Sequence, residues 1–426
     1  MNVMDYIEMA GNKAWEVDGL DPATPRRPVR SVGIIGAGTM GGGIAMNFAS
    51  VGIPVTIVER EQEALDRGLK VVRGNYQRSS DKGRFPQEEV EARMDRFLPT
   101  TNMENLASCD LVIEAVFENM ELKKEIFTRL DQIMKPGAIL ATNTSALDIN
   151  EIASVTSRPH AVIGMHFFSP ANVMKLLEVV RARETADDVV ATAMDLAKTI
   201  GKIATLVGVC PGFVGNRMLF KRQDQANKLL QRGAMPWDVD AALNAFGFKM
   251  GPFQMSDLAG LDIGWSKGAK TNNPIRDALC EMDRRGQKTQ AGFYDYDENR
   301  KPIPSDIAAD VIRNVTGVCG GNAPSQDDII ETCIFPMINE AVKILEENKA
   351  QRPSDIDVVW LNGYGWPGDK GGPMWFGDQV GAAKVLAKME ELAAEDDSFA
   401  PAPLLRELAA NGGKFTEIDT GGLKTA

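Results

Sequence analysis

The chain has 426 residues, 44% of them hydrophobic, and a formal net charge of −12. That length allows two or three compact units, and the negative balance argues against a nucleic-acid or anionic-membrane surface, which needs clustered positive potential. No apolar run reaches the ~18 residues of a spanning helix, Cys109, Cys210, Cys280, Cys319 and Cys333 form no C-x-x-C pair, and no basic-then-apolar leader opens the chain, so a cytoplasmic, reducing setting is expected.

Residues 31–59, SVGIIGAGTMGGGIAMNFASVGIPVTIVE, read as strand, glycine cluster, helix and a second strand closed by an acid, one βαβ unit. Gly36, Gly38 and Gly41 occupy G-x-G-x-x-G. There the first glycine allows a tight turn, the second lets backbone approach a pyrophosphate, and the third permits close helix–strand packing, with the helix N-terminus facing the diphosphate. Glu59 follows Gly36 by 23 residues, where an acid binds ribose hydroxyls and repels a 2′-phosphate, so NAD is expected over NADP. Arg60 beside it pulls the other way.

Further strand-like runs are DLVIEAV (110–116), AILATN (138–143), HAVIGMHFF (160–168) and LLEVV (176–180), with helical segments between the earlier ones. That alternation predicts an α/β fold with a doubly wound sheet. Ligands in such sheets sit beyond the strand C-terminal ends, which puts Glu118, Lys123, Asn143 and Ser145 near the far half of the cofactor. Taken singly, each reads better as an ordinary polar loop residue.

The chain has two histidines, His160 at a strand start and His166 inside an apolar strand. The turn SPAN (169–172) separates the last two strands, and residue 172 lies midway between 166 and 178. An antiparallel pairing about that point sets His166 opposite Glu178, within reach of a hydrogen bond. A carboxylate there fixes the tautomer and stabilises the imidazolium, leaving the other ring nitrogen as a base. The pattern fits equally well a structural histidine satisfied by a core acid. No cluster offers a metal site, and hydride transfer needs a base but no metal.

Beyond residue 210 the pattern turns helical. NRMLFKRQDQANKLLQRG carries apolar residues at helical spacing and ends in glycine. WDVDAALNAFGFKMGPFQMSDLAG (237–260) is echoed by SDIDVVWLNGYGWPGDKGGPMWFGDQVG (354–381), an internal duplication, and GFYDYDENRKPIPSD (292–306) reads as the linker between copies.

Five motifs in order, GAGTMGGGIA, TNTSAL, GMHFFSP…MKLLEVV, CPGFVGNRM and GPFQMSDLAGLD, resemble the L-3-hydroxyacyl-CoA dehydrogenase family over residues 28–300. Residues 300–426 resemble the extra C-terminal part of the dehydrogenase half of multifunctional β-oxidation enzymes. The resemblance implies a connector (1–30), a Rossmann-type NAD-binding domain (31–210) and two tandem all-helical domains (211–300 and 301–426).

It also implies roles. His166 is the base and Glu178 its partner, Ser145 and Asn216 position the reacting oxygen, and Glu59 is the ribose acid. Glu118 and Lys123 lie along the cofactor, Lys288 is a cofactor-domain contact, and Lys82 touches CoA. That last residue lies in the most basic segment, 66–84, with six Lys or Arg against two Asp. Ser169 stands where short-chain members have asparagine. The implied reaction is reversible oxidation of (S)-3-hydroxyacyl-CoA to 3-oxoacyl-CoA with NAD, without enoyl-CoA hydration. Single-copy members pair through the helical domain; a tandem copy can supply that contact within one chain, so a monomer is expected to suffice, with the second copy structural. The competing readings are a dehydrogenase of free 3-hydroxy acids and a silent NAD-binding scaffold.

Overall fold

The computed structural model describes residues 1–318 and 323–423, so Cys319 lies outside the described residues. The chain forms two compact units. One comprises Met1–Arg217, Lys343–Tyr364 and the residues from Thr416 on; the other comprises Met218–Val342 and Gly365–Phe415.

The first unit is built on eight strands: β1 (Val32–Ile35), β2 (Val55–Val58), β3 (Phe97–Thr100), β4 (Leu111–Glu114), β5 (Ile139–Thr142), β6 (Val162–Phe167), β7 (Leu176–Arg181) and β8 (Ile203–Gly208). They lie in the order β3-β2-β1-β4-β5-β6-β7-β8. Every neighbouring pair is parallel except β6–β7. VGII, VTIV, LVIE and ILAT are buried at every position, as parallel strands covered on both faces must be. The order reverses beside β1, where β2 lies on one side and β4 on the other, and this switch point opens the crevice at the strand C-terminal ends. The basic segment folds as a helical hairpin, Gln62–Asp81 and Gln87–Met94. The longer helix buries Leu65, Gly68, Val72 and Tyr76 on one face and leaves most of its charges outside.

The N-terminal thirty residues are more than a connector. Helix Val3–Lys13 buries Tyr6 and Ala10, and Ala10 and Ala14 pack with Val358 of the helix Pro353–Gly363. Asp18 donates its N–H to Gln351, and Arg27 pairs with Asp188 at 2.7 Å. Two of these three anchors lie in the stretch 343–364, which explains why that stretch belongs to the first unit.

The second unit is helical, with one small hairpin. Helix Pro236–Phe246 presents Asp240, whose carboxylate accepts the N–H groups of Phe253 and Gln254 at the start of helix Pro252–Ala259. Asp257 on that second helix accepts the N–H groups of Phe293 and Tyr294. The segment read as a linker is therefore a packed element: Tyr294–Tyr296 pairs antiparallel with Pro302–Pro304, and the Tyr294 and Tyr296 hydroxyls donate to Asp240 and Asp257 at 2.8 Å each. Its prolines sit on the exposed hairpin strand, where no ladder N–H is needed. Burial outweighs these hydrogen bonds and pushes Asp240 and Asp257 up to about 6 each. The repeat shows the same device, since Asp378 on helix Pro373–Val380 accepts the Phe415 N–H at 2.6 Å.

Candidate active site

Register builds the site. In the β6–β7 pairing His166 stands opposite Glu178, between Met165↔Val179 and Phe167↔Leu177. His166 Nδ1 lies 2.7 Å from Glu178 Oε2, and Glu178 Oε1 accepts the Gly215 N–H at 3.0 Å. Glu178 is 0% exposed and His166 5%. Both carboxylate oxygens are thus engaged, so the acid cannot swing away from the ring. Phe168 and Phe213 pack on the imidazole with centroids 4.4 and 5.7 Å away.

A cleft of about 370 Å³ opens beside this pair, lined by Met40, Val116, Glu118, Asn143, Ser145, His166, Phe168, Ser169 and Asn216 among others. Strand C-terminal ends deliver most of them. Asn143 follows β5, and its Oδ1 accepts the Phe167 N–H at 2.8 Å, fixing the amide against β6. Glu118 receives Thr144 Oγ1, the Ser145 N–H and Ser145 Oγ at 2.7, 2.8 and 3.0 Å. Burial alone would raise its pKa, but these donors and the nearby Lys123 charge hold Glu118 below the usual carboxylate range. Asn216 donates to the Ser145 carbonyl at 3.3 Å.

Lys123 is expected along the cofactor, whereas the structure buries it to 1% exposure. Its ammonium sits 2.7 Å from Glu114 Oε1 and 3.4 Å from Glu118 Oε2. Glu114, fully buried at the end of β4, also accepts Thr142 Oγ1 and the Val116 N–H. Lys123 therefore faces the core and reaches the cleft through Glu118. Lys82 lies on the exposed turn after helix Gln62–Asp81 and does not line the cleft. Lys288 belongs to the second unit, where it pairs with Asp262.

The glycine turn fits a dinucleotide on steric grounds. Gly36 has φ +101°, and a Cβ there would fall 2.7 Å from the Ala115 carbonyl oxygen; at Gly41 it would fall 1.9 Å from the Gly36 oxygen. Gly38 differs: a Cβ would meet nothing within 4 Å. The protein itself does not demand glycine there, and the open space at the N-cap of helix Thr39–Ser50 is where a diphosphate needs bare backbone. Glu59, after β2, accepts the Ala37 N–H at 2.9 Å and so ties the acid to the turn.

Sequence reasoning missed Glu114, Thr144, the Gly215 N–H and Tyr364. Tyr364, from the second copy of the repeat, donates its hydroxyl to Asn216 Oδ1 at 2.8 Å. The signal available was the aromatic-glycine-aromatic step shared by the copies, Phe246-Gly247-Phe248 and Tyr364-Gly365-Trp366, which differs at its first position by one hydroxyl. Among the described residues no group of three or more His, Cys, Asp or Glu could hold a metal, and no helix is long and apolar enough to cross a membrane.

Comparison with known proteins gives the family. Residues 31–210 match the NAD binding domain of 3-hydroxyacyl-CoA dehydrogenase, and residues 212–296 and 329–421 match its C-terminal domain. The peroxisomal bifunctional enzyme of Cavia porcellus is 45% identical over 416 residues, covering 91% of this chain and 57% of its own length. The Homo sapiens enzyme of the same name is 44% identical, with 96% and 60% covered. The chain thus spans well under two thirds of these curated relatives. Among solved structures, 3-hydroxybutyryl-CoA dehydrogenase from Escherichia coli K12 superposes with TM-score 0.76 at 27% identity, covering 90% of this chain and 98% of that one. The dehydrogenase part of multifunctional enzyme 1 from C. elegans does so with TM-score 0.65 at 31% identity, covering 95% and 99%. Rossmann-type domain, helical C-terminal region and both family matches agree: the chain belongs to the 3-hydroxyacyl-CoA dehydrogenase family and is an NAD-dependent oxidoreductase.

Proposed function

We propose that the chain interconverts (S)-3-hydroxyacyl-CoA and 3-oxoacyl-CoA, with His166 as the base. The observation that carries this reading is the His166–Glu178 clamp, buried on one side and lining the cleft on the other. With Nδ1 held by the carboxylate, Nε2 receives the C3 hydroxyl proton while the C3 hydrogen leaves as hydride and the C3–O double bond forms. NAD, when bound, accepts that hydride. Glu178 stabilises the imidazolium that results, Asn216 Nδ2 donates to the oxygen whose charge changes, and Ser145 Oγ joins it when its hydroxyl turns from Glu118 to the substrate. Return of the proton and hydride runs the reaction backward.

Glu59, tied to the glycine turn, favours NAD by repelling a 2′-phosphate. Lys82 and basic residues of the preceding helix receive the CoA phosphates, which an acidic chain must bind through a local positive patch. The tandem helical copy replaces a dimer partner, so one chain suffices. These residues do not hydrate enoyl-CoA. Free buried Cys109, Cys210, Cys280 and Cys333 suit a reducing compartment.

The test is a coupled absorbance assay. Acetoacetyl-CoA should oxidise NADH far faster than NADPH, free 3-oxo acids should be poor substrates, and crotonyl-CoA should not be hydrated. His166→Ala should lower kcat by about 10³-fold while NADH still binds. Equal rates with free acids, or an active His166→Ala, would overturn the assignment.

A further inference from the structure

We propose that Tyr364 is a positioning residue for Asn216, so that the second copy of the repeat contributes to catalysis as well as to architecture. The proposal rests on the reading above that Asn216 holds the reacting oxygen.

The network leaves the Asn216 amide one orientation. Nδ2 donates to the Ser145 carbonyl at 3.3 Å; a flipped amide would set two carbonyl oxygens against each other. Oδ1 therefore faces Tyr364, and the phenol must be the donor in the 2.8 Å bond between them. With Oδ1 engaged, the amide is polarised, and the second Nδ2 hydrogen is left for the cleft that Asn216 lines.

The phenol is held from several sides. Its ring stacks on Trp360, with centroids 4.5 Å apart and planes 27° apart. It meets Phe168 edge-on at 5.3 Å, and Phe168 lies against the His166 ring. Gly215 makes room for it: a Cβ there would fall 2.3 Å from Tyr364 Cε2 and 2.4 Å from Oη. The same glycine's N–H holds Glu178. One short stretch, Gly215-Asn216, thus couples the phenol to the oxygen-binding amide and adjoins the acid behind the base.

The hydroxyl is an addition that aromatic packing alone does not require. In the first copy Leu243-Asn244-Ala245-Phe246-Gly247-Phe248 corresponds to Leu361-Asn362-Gly363-Tyr364-Gly365-Trp366. Phe246 packs against Phe248, Trp366 and Phe376 without any hydroxyl.

A double-mutant cycle on the full chain tests this. Tyr364→Phe keeps the ring and removes the donor. Its kcat for acetoacetyl-CoA reduction should fall about five- to tenfold, with KM for NADH and the unfolding midpoint unchanged. Asn216→Ala should fall further, and in that background Tyr364→Phe should cost less than about twofold, because the group it positions is gone. Wild-type kcat in Tyr364→Phe, the same loss in both backgrounds, or a loss that tracks a lowered unfolding midpoint would each overturn the proposal. If Asn216→Ala is itself neutral, the reading of Asn216 fails and takes the proposal with it. A crippled Asn216→Ala beside a neutral Tyr364→Phe sinks the proposal alone.

Discussion

Tyr6 donates a 2.6 Å hydrogen bond to the carboxylate of Asp357, the counterpart in the second repeat of the bond that Tyr294 makes to Asp240 in the first. Asp240 and Asp357 are the second aspartates of their D-x-D motifs, each on a helix that begins at proline. In the first copy the tyrosine follows the phenylalanine whose N–H binds Asp257; in the second copy Thr416 follows Phe415. The missing phenol arrives instead from the N-terminal helix, more than 300 residues away in sequence.

Tyr6→Phe should therefore lower the free energy of unfolding by about 1.5–3 kcal/mol, the worth of a hydrogen bond to a charged group, with kcat unchanged. Urea unfolding followed alongside NADH turnover checks both halves. Unaltered stability would show that the N-terminal helix merely lies on the fold.

Glu178→Gln separates orientation from charge. Glutamine keeps one acceptor oxygen and can still receive the Gly215 N–H, but it offers an NH₂ group or a neutral oxygen to His166 Nδ1. The imidazolium loses its counter-charge. The prediction is a fall in kcat of about 10²-fold with little change in KM for NADH, read by steady-state kinetics. A variant within about threefold of wild type would return His166 to the structural reading that the sequence pattern left open.

Much of the site was legible because period-two geometry is strict. One turn midpoint put residue 166 opposite residue 178, and the glycine spacing with its distal acid marked the cofactor end. What escaped was set by tertiary contacts. β3 reads FLPT, with a proline and an exposed Leu98, so neither alternation nor an apolar run announced an edge strand. β8 follows a helix and closes the sheet edge beside β7, with only a single bridge, Val207 to Ala350, on its other side among the described residues. Lys123 looked like a loop cation, and only its burial against Glu114 shows that it supports Glu118 from below. Tyr6 and Tyr364 act across hundreds of residues, which no local pattern encodes.

Asp240 and Asp257 make the stability of the helical unit depend on pH in the direction opposite to most carboxylates. Burial raises both to about 6, against their backbone and tyrosine donors. The folded state thus binds protons that an unfolded aspartate, titrating near about 3.9, does not. Each group's contribution is fully present below that unfolded value and is lost as pH rises through about 6. In Asp257→Asn that titration is removed while every other carboxylate stays. Between about pH 7 and about pH 5 the unfolding free energy of wild type, relative to the variant, should rise by about 1 kcal/mol. Paired denaturation curves at the two pH values measure the difference. A flat or falling difference would mean that Asp257 stays ionised in the fold, held by the Phe293 and Tyr294 N–H groups and the Tyr296 hydroxyl more firmly than burial opposes it.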